Sequence, residues 1–106
     1  MRIMRLLVLF DLPTGSKAER KSYAQFRKFL INDGYHMEQY SVYSRILLSR
    51  DSAVTHVERL RSNLPAAGEV TVIELTEKQF ESRKVLVNTL VRKDLPDVGP
   101  QLTLVF

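Results

Sequence analysis

Asp11 is the residue in this chain best placed to do chemistry. It follows Leu6-Leu7-Val8-Leu9-Phe10, an unbroken apolar run rich in β-formers, and precedes Leu12-Pro13. Such a run reads as a strand buried on both faces, hence a central strand. Pro13 then prevents further ladder pairing. A carboxylate where a buried strand emerges into a loop is placed to face a ligand or a metal. The competing reading is an Asx-type turn or a cap. One carboxylate per chain cannot hold Mg²⁺ tightly, since the ion takes about six oxygens. Two copies of Asp11 brought together by a dimer, with backbone carbonyls, water and a substrate phosphate, can. The chemistry would be metal-assisted phosphodiester cleavage or simple phosphate binding.

Other catalytic constellations are scarce. There is no HExxH, no Gly-rich phosphate loop and no GxSxG. His36 and His56 lack spaced partners and read as structural. Without cysteine there is no disulfide or thiolate metal site, which fits a reducing cytosol. The N-terminus lacks a signal-peptide layout and no apolar run approaches membrane-spanning length, so a cytoplasmic protein without a membrane partner is expected.

With 106 residues, 44% of them hydrophobic, the chain makes a single domain over 1–106. The formal net charge of +4 is uneven. Residues 1–50 carry nine Lys/Arg against four Asp/Glu, and residues 51–106 carry seven against eight. One basic surface and a polyanionic partner are the reading, with a solvated charged face as the alternative.

The elements that must position these residues follow in order. Ser16 and Glu19 form a capping box that opens a helix from about Lys17 to Asp33, with Gly34 as its C′ residue. Tyr23, Phe26, Phe29 and Leu30 share its core side. Lys17, Arg20, Lys21, Arg27 and Lys28 share a separate arc with Ala24 and Ile31, a pattern suited to tracking phosphates. Tyr35 to Leu48 alternates with period two and reads as a hairpin breaking near Gln39-Tyr40-Ser41. Tyr40, Ser41, Tyr43, Ser44 and Arg45 could meet phosphates or bases there, or form an ordinary solvent face. Asp51 or Ser52 caps a second helix that runs to Leu64, with a Val54, Val57, Leu60, Leu64 stripe. Val70, Val72, Ile73 and Leu75 mark a fourth strand, and Thr76 to Gln79 a second capping box. Arg92 to Gln101 reads as a loop. Leu102 to Phe106 reads as a terminal strand that pairs with something, most naturally a second copy. The order β-α-β-β-α-β predicts an α+β, ferredoxin-like antiparallel sheet. Both helices lie on one face, and the open face is left for a partner.

Several of these segments together resemble one family. Phe10-Asp11-Leu12-Pro13, Glu19-Arg20-Lys21-Ser22-Tyr23, Phe26-Arg27-Lys28-Phe29-Leu30 and Gln39-Tyr40-Ser41-Val42-Tyr43-Ser44-Arg45 are similar to the CRISPR-associated Cas2 ("Cas two") proteins, the small subunit of the spacer-acquisition machinery. Thr76-Glu77-Lys78-Gln79-Phe80 resembles the form found in type II systems. The likeness covers about residues 3 to 80. It implies a ferredoxin-like homodimer whose two Asp11 side chains face each other and ligate a divalent ion, Mg or Mn, at the dimer axis. It implies metal-dependent endonuclease activity on RNA or double-stranded DNA. It also implies a scaffold role, in which the dimer sits between copies of the partner integrase ("Cas one") and holds duplex DNA. Carried over as nucleic-acid-binding residues are Arg20, Arg27, Lys28, Ser41 and Arg45. A third reading, an RNA-binding or regulatory ferredoxin-like module, lacks the aromatic strand pattern of an RRM.

Overall fold

The structure, a computed structural model, describes residues 3–87. In chain order it contains β1 (Met4–Asp11), α1 (Lys17–Asn32), β2 (His36–Gln39), β3 (Val42–Leu47), α2 (Arg50–Arg61), β4 (Glu69–Thr76) and α3 (Glu77–Glu81). The strands form one antiparallel sheet in the order β2-β3-β1-β4, so β1 is central as expected. The fold is α+β and ferredoxin-like. The predicted C-terminal strand at Leu102 to Phe106, and the loop before it, lie outside the described residues.

Alternation along β1 sets the layers. Met4, Leu6, Val8 and Phe10 are buried under the helices, while Arg5, Leu7 and Leu9 are half-buried on the opposite face. Among the described residues β1 is therefore fully buried on one side only. The core joins that row to Phe26 and Leu30 of α1, Tyr43 and Leu47 of β3, and Ala53 and Leu60 of α2. Phe10 is its aromatic hub, edge-on to Phe26 at 5.3 Å between ring centroids and stacked on Tyr43 at 5.6 Å. Each such buried side chain contributes roughly 1.5–3 kcal/mol.

The first helix begins and ends as its sequence dictates. The Ser16 hydroxyl accepts from the Glu19 N–H at 3.1 Å, and the Glu19 carboxylate accepts from the Ser16 N–H at 2.9 Å. At the other end Gly34 takes φ +93°. There Tyr35 N–H donates to Leu30 and Gly34 N–H to Ile31, the paired bonds of a Schellman ending.

The second helix departs from expectation at both ends. Its cap is Ser49, whose hydroxyl accepts from the Ser52 N–H, and it stops at Arg61. Pro65 disfavours helical backbone at Leu64, which is left exposed. Val54 also faces solvent, and the buried row is Ala53, His56 and Leu60. On β3, Tyr43 and Ser44 are buried instead of forming a polar surface cluster.

The open sheet face is covered at one end by the chain itself. Glu77 N–H continues the ladder by donating to Ile3, and α3 then folds over Arg5. The Phe80 ring packs beneath the guanidinium of Arg5 at 4.0 Å and that of Arg83 at 3.7 Å. Arg5 donates to both Glu77 carboxylate oxygens, at 2.9 and 2.6 Å, and to the Ser44 hydroxyl at 3.0 Å. Glu38 of β2 completes this group, with Arg83 at 3.4 Å. Leu7, Leu9 and Ile73 line the remainder of that face and are at most half-buried.

Candidate active site and basic face

Asp11 closes β1 as its last paired residue and is exposed. Strand alternation places it on the open face with Arg5, Leu7 and Leu9. Directly opposite on β4 is Glu69, so two carboxylates face one another across the ladder. Like charges so placed repel unless a cation or solvent relieves them. Among the described residues the Asp11 carboxylate has no hydrogen-bond or ion-pair partner, and the helix cap is Ser16.

Two turns hold this corner. Ser41, half-buried with φ +66°, accepts the Phe10 N–H at 3.0 Å, so the β2–β3 turn is pinned to the strand one residue before Asp11. Gly68 has φ +102°, and a Cβ there would lie 2.6 Å from the Asp11 carbonyl oxygen. Glycine is required at 68 both for its backbone and for its size.

The basic residues divide by what they touch. Arg20 and Arg27 are exposed on α1, but both are tied down. Arg20 donates to the Thr14 and Gly15 carbonyls at 3.3 and 3.4 Å, and Arg27 donates to the Tyr43 hydroxyl at 2.9 Å. Lys28 is exposed without a partner among the described residues, as are Lys17 and Lys21, which lie on the same face. Arg45 is not a surface cation. It is half-buried on the helix side of the sheet, paired across from Leu6, and it donates to the Asp33 carbonyl at the end of α1. The expected cluster around Ser41 therefore separates: Ser41 lies at the Asp11 corner, and Tyr43, Ser44 and Arg45 are taken into internal contacts.

Sequence patterns gave no sign of one buried polar group. Asp33, the C-cap of α1, is paired with Arg59 and lies 3.2 Å from His56 Nδ1, both on α2. This pairing makes His56 structural. Tyr35 lies beside it, and burial, reinforced by the Asp33 charge, pushes its hydroxyl up to about 12. Among the described residues Tyr35 Oη and Arg45 Nε are buried without a hydrogen-bond partner.

Residues 4–83 match the family model described as CRISPR associated protein Cas2. The chain belongs to the Cas2 family. It is 58% identical over 84 residues to a protein of Acidovorax ebreus, covering 79% of this chain and 82% of that one. It is 44% identical over 85 residues to one of Streptococcus mutans, covering 80% and 77%. A Campylobacter jejuni relative is 40% identical over 103 residues, covering 97% of this chain and 72% of its own. All three bear the name CRISPR-associated endoribonuclease Cas2. The matched region contains the whole sheet and all the sequence-predicted site residues.

A divalent metal fits this Cas2 chain only in part. Among the described residues no three His, Cys, Asp or Glu side chains group as a metal set. Asp11 offers an exposed, unpaired carboxylate, but one chain supplies far fewer than the oxygens Mg²⁺ requires. No helix among the described residues is long and apolar enough to cross a membrane.

Proposed function

We propose that this protein acts in CRISPR adaptation as a homodimeric scaffold that holds double-stranded DNA for the partner integrase, with Asp11 as the ligand of a Mg or Mn ion in an accessory endonuclease site. The observation that carries the scaffold reading is the face of α1: five cations stand on it, and its one acid in the first turn, Glu19, is turned into the cap. An unneutralised cation face attracts a phosphate backbone irrespective of sequence.

The reading as mainly an endonuclease of RNA or DNA has its own support. Relatives bear the name endoribonuclease, and Asp11 is exposed and unpaired beside Glu69. In this proposal two Asp11 carboxylates, one from each copy, hold the ion. Bound there, a metal supplies an activated water and offsets phosphate charge. The chain's own part is to fix the carboxylate, through the Phe10–Ser41 bond and the close seat of Gly68.

Asp11→Asn separates the two. Asn keeps the shape but loses the charge that binds Mg²⁺. Cleavage of RNA and duplex DNA with Mg²⁺ is expected to fall by orders of magnitude. Duplex binding, assembly with the integrase and spacer acquisition in cells are expected to survive. Loss of acquisition with normal assembly would overturn the scaffold reading.

A further inference from the structure

We infer that Tyr40 is a stacking platform for an unpaired nucleobase, set beside the phosphodiester that Asp11 would face; this rests on the endonuclease reading of the Asp11 corner above. Among the described residues Tyr40 is the one aromatic side chain that is mostly exposed, at 58%. Tyr35 and Tyr43 are buried, Tyr23 packs against the core, and Phe10, Phe26, Phe29 and Phe80 are buried or half-buried.

Register sets Tyr40 level with Asp11. β1 and β3 pair Val8 with Tyr43 and Leu9 with Val42, and the Phe10 N–H donating to the Ser41 carbonyl carries that register one step further. The next step brings Asp11 level with Tyr40. Glu69 flanks Asp11 on the other side, from β4. Neighbouring strands lie about 4.8 Å apart, so the ring is rooted one strand away from the carboxylate. In a nucleic acid a phosphate and its base are likewise separated by a single sugar.

The turn is not built for its own stability. Tyr40 and Ser41 form a two-residue connection between Gln39 and Val42, where hairpins favour Asn-Gly or Gly. Here φ is positive at Ser41 alone, and a large ring stands where a small turn former would serve. Just before it the β2–β3 register shifts between Met37 and Gln39, an irregularity of the kind that re-aims side chains beside sites. Strained backbone and a shifted register on either side of one exposed ring are a cost that folding alone does not explain.

Electrostatics favour the same reading. Two carboxylates facing across the ladder repel a phosphate, so a strand at this corner needs a hold that is not Coulombic. Base–aromatic stacking supplies one, and it accepts any sequence because every base has a π face. A duplex keeps those faces within its own stack, so the ring selects single strands.

The test is an anisotropy titration of full-length protein with a single-stranded RNA, a single-stranded DNA and a DNA duplex of mixed sequence, without Mg²⁺ so that the strands stay intact. A fluorescent adenine analogue in each single strand reports stacking by its quenching. Tyr40→Phe keeps the ring and is expected to bind and quench as the wild type does. Tyr40→Ala is expected to lose about five- to hundredfold in single-strand affinity, for RNA and DNA alike, together with the quenching. Its slope of log affinity against log salt should not change, because a stacked ring releases no counterion, and its duplex affinity should stay as it was. Tyr40→Leu keeps apolar bulk at the turn without a π face and carries the same expectation should the alanine variant fail to fold. Unchanged single-strand affinity in Tyr40→Ala, equal losses for strand and duplex, or a dimer lost with the ring overturns this assignment. Equal losses in Tyr40→Phe and Tyr40→Ala make the hydroxyl the contact and overturn stacking. Wild-type protein that binds single strands and cleaves neither RNA nor DNA once Mg²⁺ is added overturns the endonuclease reading on which it rests.

Discussion

The guanidinium of Arg45 fills the space that a β-carbon on Gly34 would need. Helix α1 turns into β2 at a left-handed residue, and the cation beneath it donates to the Asp33 carbonyl at the helix end. Gly34→Ala is expected to lower stability by about 1–3 kcal/mol, from the positive φ and the lost cap together. Combined with Arg45→Ala, its effect should be less than additive, because the second change removes the obstacle met by the first. Denaturant unfolding of both single variants and the double one measures this. Arg45→Ala is further expected to leave the salt slope of duplex binding unaltered, since its charge is used inside the fold. A shallower slope would return Arg45 to the nucleic-acid surface.

Ser41 occupies left-handed backbone without being glycine. Ser41→Gly is expected to raise stability by up to about 1 kcal/mol, since a side chain at such φ costs roughly 1–2 kcal/mol and glycine gives part of this back in chain entropy. If its hydroxyl meets a phosphate, duplex affinity falls while the melting temperature rises. Opposite movement of the two readouts distinguishes contact from folding; unchanged affinity removes the hydroxyl from the interface.

These two sites mark how far the sequence could be read. Capping boxes at Ser16 and Thr76, and Gly34 as a helix stop, are local devices that act between residues three or four apart, and both boxes and the stop are present. The apolar run before Asp11 announced a central strand because only such a strand tolerates five apolar residues in succession. Arg45 could not be placed from its neighbours. Its partner is a carbonyl twelve residues earlier, and alternation alone cannot tell which face of a strand will be roofed by helices. The same holds for Tyr43, a surface hydroxyl in the alternation pattern but a buried ring under Arg27 in the fold. Ser49 was missed as a cap because Asp51 and Ser52 are equally competent caps nearby.

Tyr35 makes stability pH-dependent at the alkaline end. Burial, with the Asp33 charge beside it, pushes its hydroxyl up to about 12 in the fold, against 10.0 for a free tyrosine. Between these values the unfolded chain has lost the proton and the folded chain keeps it. Stability from this group is therefore complete below about pH 10 and is lost as pH rises towards 12. Tyr35→Phe is expected to flatten that part of the profile. Near pH 7 it should be neutral or mildly stabilising, since the hydroxyl is buried without a hydrogen-bond partner among the described residues. Unfolding midpoints of both proteins from pH 9 to 12, with tyrosine absorbance, test this; parallel profiles would contradict it.

The stack of Phe80 with Arg5 and Arg83 also has a mechanical meaning. Among the described residues β4 is an edge strand paired to β1 alone, and an edge strand pulled at its end can be peeled bond by bond. The chain does not leave from that end. It first crosses to Arg5 of the central strand and reaches Glu38 on the far strand through Arg83. Tension applied beyond Arg83 is thereby shared between β1 and β2 before it reaches the β1–β4 ladder. The small helix works as a crossbar that turns an unzipping load into a shear across the sheet.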